Sequence, residues 1–183
     1  NAPGGLGVMY SDNFYGDILG NDDYYEVIVG RFSATTTNHV ATQVRRTLEY
    51  EKAMFNETAW LPVGLGLAAN EGAGQGHDGG ESDYQHMDII RTHLLTFTYN
   101  EVHREYDQNV PGLANTNSAQ ISAKINNGAS ILNYINHGSE TSWSVGNYSN
   151  SHVNALTNVG KLPFIWAVAC LNGKFIHSSD CMG

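Results

Sequence analysis

Ala129-Ser130-Ile131-Leu132-Asn133-Tyr134-Ile135-Asn136-His137-Gly138 is an apolar run of strand length that ends on a histidine and a glycine. Leu162-Pro163-Phe164-Ile165-Trp166-Ala167-Val168-Ala169-Cys170 is a second such run, ending on a cysteine before the polar turn Leu171-Asn172-Gly173. Neither alternates cleanly between apolar and polar positions. Near-continuous apolar strands are those covered on both faces, the mark of a parallel sheet between layers of helix. The segment between them, Gly138 to Lys161, is long enough for the crossover that parallel neighbours require, and a short helix is expected around Val153 to Leu156.

Upstream, strands and helices keep alternating. Asn117-x-x-Gln120 caps a short helix carrying Ile121 and Ile125, which Gly128 ends. Phe97 to Tyr106 reads as a strand. Ser82-x-x-Gln85 is a capping box, followed by the buried stripe Met87, Ile90 and Leu94. A polar loop, Asn70 to Glu81, precedes that helix, and Leu61 to Ala69 reads as a buried strand. A helix is expected from Asn38 to Met54 with Val40, Val44 and Leu48 on one face, and a strand over Glu26 to Phe32. The class is therefore α/β: a mostly parallel sheet with helices on both faces. Ligands of such sheets sit beyond the carboxyl ends of the strands, where both His137 and Cys170 lie.

Composition narrows the function. The 183 residues, 41% of them apolar, suffice for one domain with a sizeable core. Nine basic against 18 acidic residues give a net charge of −9, which argues against nucleic acid as a partner. The acidity suits cationic substrates or bound Ca²⁺, and equally an ordinary soluble surface. No apolar run reaches the roughly 20 residues that span a bilayer, and no secretory signal stands at the start. The two cysteines, Cys170 and Cys181, form no C-x-x-C pair; a disulfide between them would block either sulfur as a nucleophile. The sequons at Asn56 and Asn147 carry little weight without a known host.

A free thiol is only slightly ionised at neutral pH, so a nucleophilic cysteine needs a base. An imidazole across the crevice can take the thiol proton and later give one to a leaving amine. The oxyanion formed needs N–H donors, for which Gly138 and Cys170 supply backbone candidates. The plain alternatives are a buried small hydrophobe at Cys170 and a loop residue at His137. A different class is offered by Gly74-Gln75-Gly76-His77-Asp78-Gly79, a literal G-x-G-x-x-G between a strand and a helix, which is the setting of a dinucleotide site. Asp78 and Glu81 would repel a pyrophosphate there, and the helix begins only after the last glycine.

The segments Asn133-Tyr134-Ile135-Asn136-His137-Gly138-Ser139-Glu140-Thr141-Ser142-Trp143 and Leu162 to Gly173 resemble the histidine and cysteine motifs of the gingipain family, secreted bacterial cysteine proteases of caspase-like fold. The His-to-Cys separation of 33 is similar to that of the arginine-specific members, and Gly20-Asn21-Asp22, Val29-Gly30-Arg31-Phe32-Ser33 and Gly80-Glu81-Ser82-Asp83-Tyr84-Gln85-His86 extend the likeness along the chain. The resemblance implies a cysteine endopeptidase cleaving after Arg, with Cys170 as nucleophile, His137 as base and Glu71 orienting His137. It implies Gly138 and Cys170 N–H groups at the oxyanion and Asp83 on the substrate guanidinium. It also implies structural Ca²⁺ held by Asp22, Glu26 and the carbonyls of Leu19 and Tyr24, and a second metal position at Glu81 and His86.

Read without the resemblance, Glu71 is a solvated loop residue, Asp83 a carboxylate favoured by its helix N-terminus, and Leu19 to Glu26 a turn. The sequence departs from the family at Trp166, Ala167 and Lys174, where acidic residues are usual. The resemblance further implies a chain that is part of a single catalytic domain, incomplete at both ends. Its partners would then be protein or peptide substrates with Arg at the cleavage site and the missing remainder of the domain, at a secreted or cell-surface location. A cell-surface transpeptidase using the same dyad and a non-catalytic caspase-like scaffold stand as alternatives.

Overall fold

The computed structural model describes residues 11–20, 22, 24–53, 57–75 and 77–182. Asn21, Met54, the sequon residue Asn56 and Gly76 of the glycine-rich motif lie outside the described residues. The chain divides into two compact units, Asn1–Thr47 and Leu48–Gly183.

In the first unit a short 3₁₀ turn covers Asn13–Gly16, and helix α1, Thr37–Ala53, begins near its carboxyl end. The strand expected over Glu26 to Phe32 is not formed. Val27, Ile28 and Val29 stand exposed and the segment has no ladder partner among the described residues. A β-branched run becomes a strand only where it packs on a pleated surface, which is missing here. The Val40, Val44 and Leu48 stripe of α1 is likewise exposed.

The second unit is built on β1 (Val63–Ala69), α2 (Asp83–Thr96), β2 (Glu101–Asp107), α3 (Ser118–Asn127), β3 (Ile131–Ile135), the hairpin β4 (Ser142–Trp143) and β5 (Tyr148–Ser149), α4 (Asn150–Asn154) and β6 (Phe164–Val168). The four long strands form one sheet in the order β2-β1-β3-β6, every pair parallel. The strands are shorter than the spans expected from the sequence. Thus β2 starts at Glu101 rather than Phe97, which is exposed in the turn ending α2.

Helices cover both faces, as expected. Leu65, Leu67 and Ala69 of β1 meet Ile121 and Ile125 of α3, together with Leu132 and Tyr134 of β3. Ala68 and Ile135, pointing the other way, meet Met87 of α2 and Tyr106. Period-2 alternation thus divides one apolar strand between two cores. Gly66 belongs to the α2 side: a Cβ there would lie 2.8 Å from Met87 Cγ, so the glycine lets the helix approach. Both predicted caps are present. Ser82 N–H donates to Gln85 Oε1 at 2.9 Å, and Asn117 Oδ1 accepts from Gln120 N–H at 3.0 Å. Gly128, at φ +107°, ends α3.

Candidate active site

The strand order places a switch point between β1 and β3. From β1 the chain moves outward to β2, then returns across β1 to β3 and on to β6. The crevice of such a sheet opens at the carboxyl ends on either side of that point. Ala68, Ile135 and Val168 are in register across β1, β3 and β6. Glu71, His137 and Cys170 follow within three residues of that row, on three neighbouring strands. The adjacency of the histidine and cysteine strands, which the sequence left conditional, is therefore real, and adjacent strands lie only about 5 Å apart.

Glu71 Oε1 lies 3.5 Å from His137 Nε2, and Glu71 is itself held by Asn136 Nδ2 at 2.5 Å and Gln108 Nε2 at 2.9 Å. The imidazole is largely exposed, at 76%, against 30% for Glu71. Its backbone is fixed: the His137 carbonyl accepts from Tyr134 Oη at 2.5 Å and from Ser144 N–H at 3.1 Å. Burial pushes the Tyr134 phenol above its ordinary range, which keeps it a neutral donor. Tyr134 also stacks on Trp143, ring centroids 4.6 Å apart. Cys170 is exposed, and both cysteines are free, so no Cys170–Cys181 disulfide blocks the sulfur. Among the described residues, neither the Gly138 nor the Cys170 N–H donates to another group.

Asp83 opens α2 and is nearly buried, at 9% exposure. Its Oδ1 lies 3.1 Å from His77 Nε2, its Oδ2 accepts from Asn136 Nδ2 at 2.9 Å, and its N–H donates to the Glu71 carbonyl. Gly72, at φ +77°, packs so closely on this carboxylate that a Cβ would overlap Oδ1. One carboxamide, Asn136, therefore bridges the two acidic groups of the site. Sequence reading missed both Asn136 and His77. The position of Asn136 beside His137 was the available signal for the first; His77 carried none.

His86 Nδ1 is 2.6 Å from Glu81 Oε1, which holds that carboxyl below its usual range. The His77 and His86 rings stack at 4.4 Å, and ligand atoms of His77, Glu81 and His86 all lie within 4.8 Å of one another. In the glycine-rich loop, Gly74 N–H donates to Gly80 O and Gly80 N–H to His77 O, so two of its amides are turned inward rather than toward a phosphate. His152 and His177 serve local turns, bonding Ser149 and Ser179.

In the first unit, Glu26 Oε2 accepts from the N–H groups of Ile18 at 3.0 Å and Leu19 at 3.1 Å, and Asp22 Oδ1 from that of Tyr24 at 2.9 Å. The Ile18 bond, then the Leu19 bond, lower the Glu26 carboxyl. Asp22, Glu26 and the carbonyls beside them are hard oxygen donors on one turn, chemistry that fits Ca²⁺.

The profile of Peptidase family C25 matches residues 5–183. Gingipain R2 and Gingipain R1 of Porphyromonas gingivalis are each 43% identical over 171 residues, 93% of this chain but 22% and 16% of theirs. Lys-gingipain of the same organism is 26% identical over 177 residues, 94% of this chain and 9% of its own. The crystal structure of the Arg-specific cysteine proteinase gingipain R superposes with a TM-score of 0.84 at 42% identity, over 93% of this chain and 38% of that one. The chain thus spans about a fifth of the length of Gingipain R2.

Proposed function

The chain belongs to Peptidase family C25, and on that footing we propose that it carries the nucleophile, base and specificity carboxylate of a cysteine endopeptidase cleaving after arginine. One observation carries the reading: Glu71, His137 and Cys170 follow the ends of three neighbouring parallel strands, with His137 Nε2 3.5 Å from Glu71 Oε1.

Cys170 Sγ gives its proton to His137 and attacks the substrate carbonyl. The N–H groups of Gly138 and Cys170, which donate to no other group among the described residues, receive the oxyanion. His137 then protonates the leaving amine, and water, deprotonated by the same ring, hydrolyses the thioester. Glu71 orients the ring and balances the imidazolium. Asp83 receives the guanidinium, a planar fork that suits a buried carboxylate. The preference for Arg is supported by 43% identity to the R-type gingipains against 26% to Lys-gingipain.

The chain is proposed to be part of a single catalytic domain, acting outside the cell or at its surface. Among the described residues no helix is long and apolar enough to cross a membrane. The remainder of the domain is its proposed partner, supported by the exposed apolar side chains of Phe164, Ile165, Trp166 and Val168 along the edge strand β6. Ca²⁺ would be held by Asp22, Glu26 and the carbonyls of Leu19 and Tyr24 and would stiffen their turn. At the second position, Glu81 and His86 stand beside His77; two imidazoles and one carboxylate suit a borderline divalent ion better than calcium.

The test is covalent labelling of the full protein with an arginyl chloromethyl ketone, located by peptide mass mapping, beside the lysyl reagent. Labelling on Cys170 that His137→Ala abolishes is the expected result. Equal labelling by the lysyl reagent overturns the arginine assignment. No labelling of the folded protein overturns the protease reading and favours the scaffold.

A further inference from the structure

We infer that Asn172 is a positioning residue that sets the separation of His137 and Cys170 by fastening the turn after β3 to the loop after β6; the inference rests on the dyad proposed above. Asn172 lies two residues beyond Cys170, and its Nδ2 donates at 2.7 Å to the carbonyl of Ser139, two residues beyond His137. The bond joins residues 33 apart in sequence, the same separation as the dyad. Ladder pairing between β3 and β6 ends at Ile135 and Val168, so it cannot hold the two active side chains by itself.

The side chain also fills the space between the loops. A Cβ on Gly138 would lie 2.6 Å from Asn172 Oδ1 and 2.9 Å from Ala169 Cβ. Gly138 therefore packs against residues on either side of Cys170. Two further ties run between the same segments: Lys174 Nζ to Glu140 Oε1 at 3.0 Å, and Met182 N–H to the Glu140 carbonyl at 2.7 Å. Gly173 N–H closes the loop on the Met182 carbonyl at 2.9 Å, and the Met182 side chain is buried in the core that contains Trp143.

Stability alone does not account for the asparagine. Its Oδ1 is buried without a hydrogen-bond partner among the described residues, and an orphaned acceptor destabilises the fold. Replacing Asn172 by Ala removes one good hydrogen bond and one unmatched acceptor together, so its effects on stability oppose each other. Its effect on the dyad has no such offset, because it frees the cysteine loop to drift from the histidine turn.

The experiment is steady-state kinetics of the full protein on an arginyl peptide substrate, comparing wild type with Asn172→Ala and Lys174→Met, each with its thermal midpoint. Misplacement by about 1 Å lowers turnover by roughly 10²-fold, so Asn172→Ala is expected to lose about that factor in kcat with KM within threefold. Lys174→Met, at an exposed tie, is expected to lose about threefold in kcat, KM again unchanged. Loss confined to KM, or kcat within twofold of wild type in a folded Asn172→Ala, overturns the inference. If Asn172→Ala does not fold, Lys174→Met decides alone, and an unchanged kcat overturns it. A wild-type protein that turns over no substrate sinks the protease reading itself, a different outcome from active wild type with indifferent variants.

Discussion

Asp83→Asn separates the proposed role of this carboxylate from its structural one. Asn has the same shape, and its Oδ1 still accepts from Asn136 Nδ2, now found 2.9 Å from the Asp83 carboxylate. The new amide NH₂ would face His77 Nε2, placed 3.1 Å from the other oxygen. A neutral imidazole can move its proton to the other nitrogen and accept there, so the contact is retained in a second tautomer. The fold then loses a favourable charge at the first turn of α2 and some hydrogen-bond strength, together about 1–2 kcal/mol. Substrate recognition loses a buried ion pair. Removing one member of such a pair costs about 2–5 kcal/mol, and the lower end is already about thirtyfold in kcat/KM. The expectation is a loss on the order of 10²-fold in kcat/KM for arginyl peptides, with a thermal midpoint lowered by only about 3–8 °C. The assay is hydrolysis of paired substrates differing only in Arg or norleucine before the scissile bond, which Asp83→Asn should bring together. An Arg-to-norleucine ratio within threefold of wild type would refute the argument and return Asp83 to a purely structural role.

Glu71→Gln keeps the contact from Asn136 Nδ2 and turns its new NH₂ toward Gln108, whose exposed carboxamide can flip to accept it, but removes the charge beside His137; a partly exposed contact of this kind is worth about 1 kcal/mol, so kcat should fall about fivefold with KM steady, and an unchanged kcat counts against orientation by Glu71. Calcium titration into the metal-stripped protein should raise its thermal midpoint, and Asp22→Asn should weaken that response; calorimetry showing no binding removes the calcium assignment. Leu132→Ala, at a fully buried position on β3, should destabilise the second unit by about 2–5 kcal/mol in urea unfolding, and a loss below 1 kcal/mol would mean a looser core than the packing implies. Burial first, then the Lys124 charge, depress the His103 imidazole against the opposing pull of Glu101 and Glu105. The unfolded chain therefore binds this proton more readily than the folded one, so the contribution is intact above about pH 6.5 and is lost as pH falls through the folded value. His103→Gln should narrow the stability gap between pH 7 and pH 5; an unchanged gap refutes the sign.

Three of the four strands, β1, β3 and β6, were legible because they lie in continuous apolar runs with punctuation at both ends; β2, Glu101–Asp107, is mostly polar, and its expected start was four residues early. Ser82, Asn117 and Gly128 marked helix boundaries through side-chain or backbone chemistry that acts within four residues. Glu26 to Phe32 failed for the opposite reason. Val27, Ile28 and Val29 have the composition of a strand, but a strand is a relation between two segments, and no window of sequence contains the partner. The same limit hid Asn136, which contacts Asp83 from 53 residues away. His77 lies only six residues before Asp83, but the bend of the loop that brings them together follows no regular spacing. His137 and Cys170 were singled out because both follow apolar runs, whereas the register that places their strands side by side belongs to the β3–β6 ladder.

That ladder also explains why the site divides into a rigid part and an open part. Glu71, Asn136 and Asp83 are tied to one another and packed between β1, β3 and α2, so the acidic half is preorganised before any substrate arrives. Cys170 stands at the end of β6, whose side chains are exposed and whose outer edge has no pairing strand among the described residues. An unsupported edge strand holds its end loosely, and a nucleophile displaced by an ångström loses much of its effect. Two supports then bear on Cys170: the ties from Asn172, Lys174 and Met182 on the β3 side, and whatever packs against the open edge of β6 on the other. Covering that edge should tighten the thiol against His137 while leaving Asp83 and the guanidinium contact proposed for it as they are. Its effect on a peptide substrate should therefore fall on kcat and leave KM nearly constant.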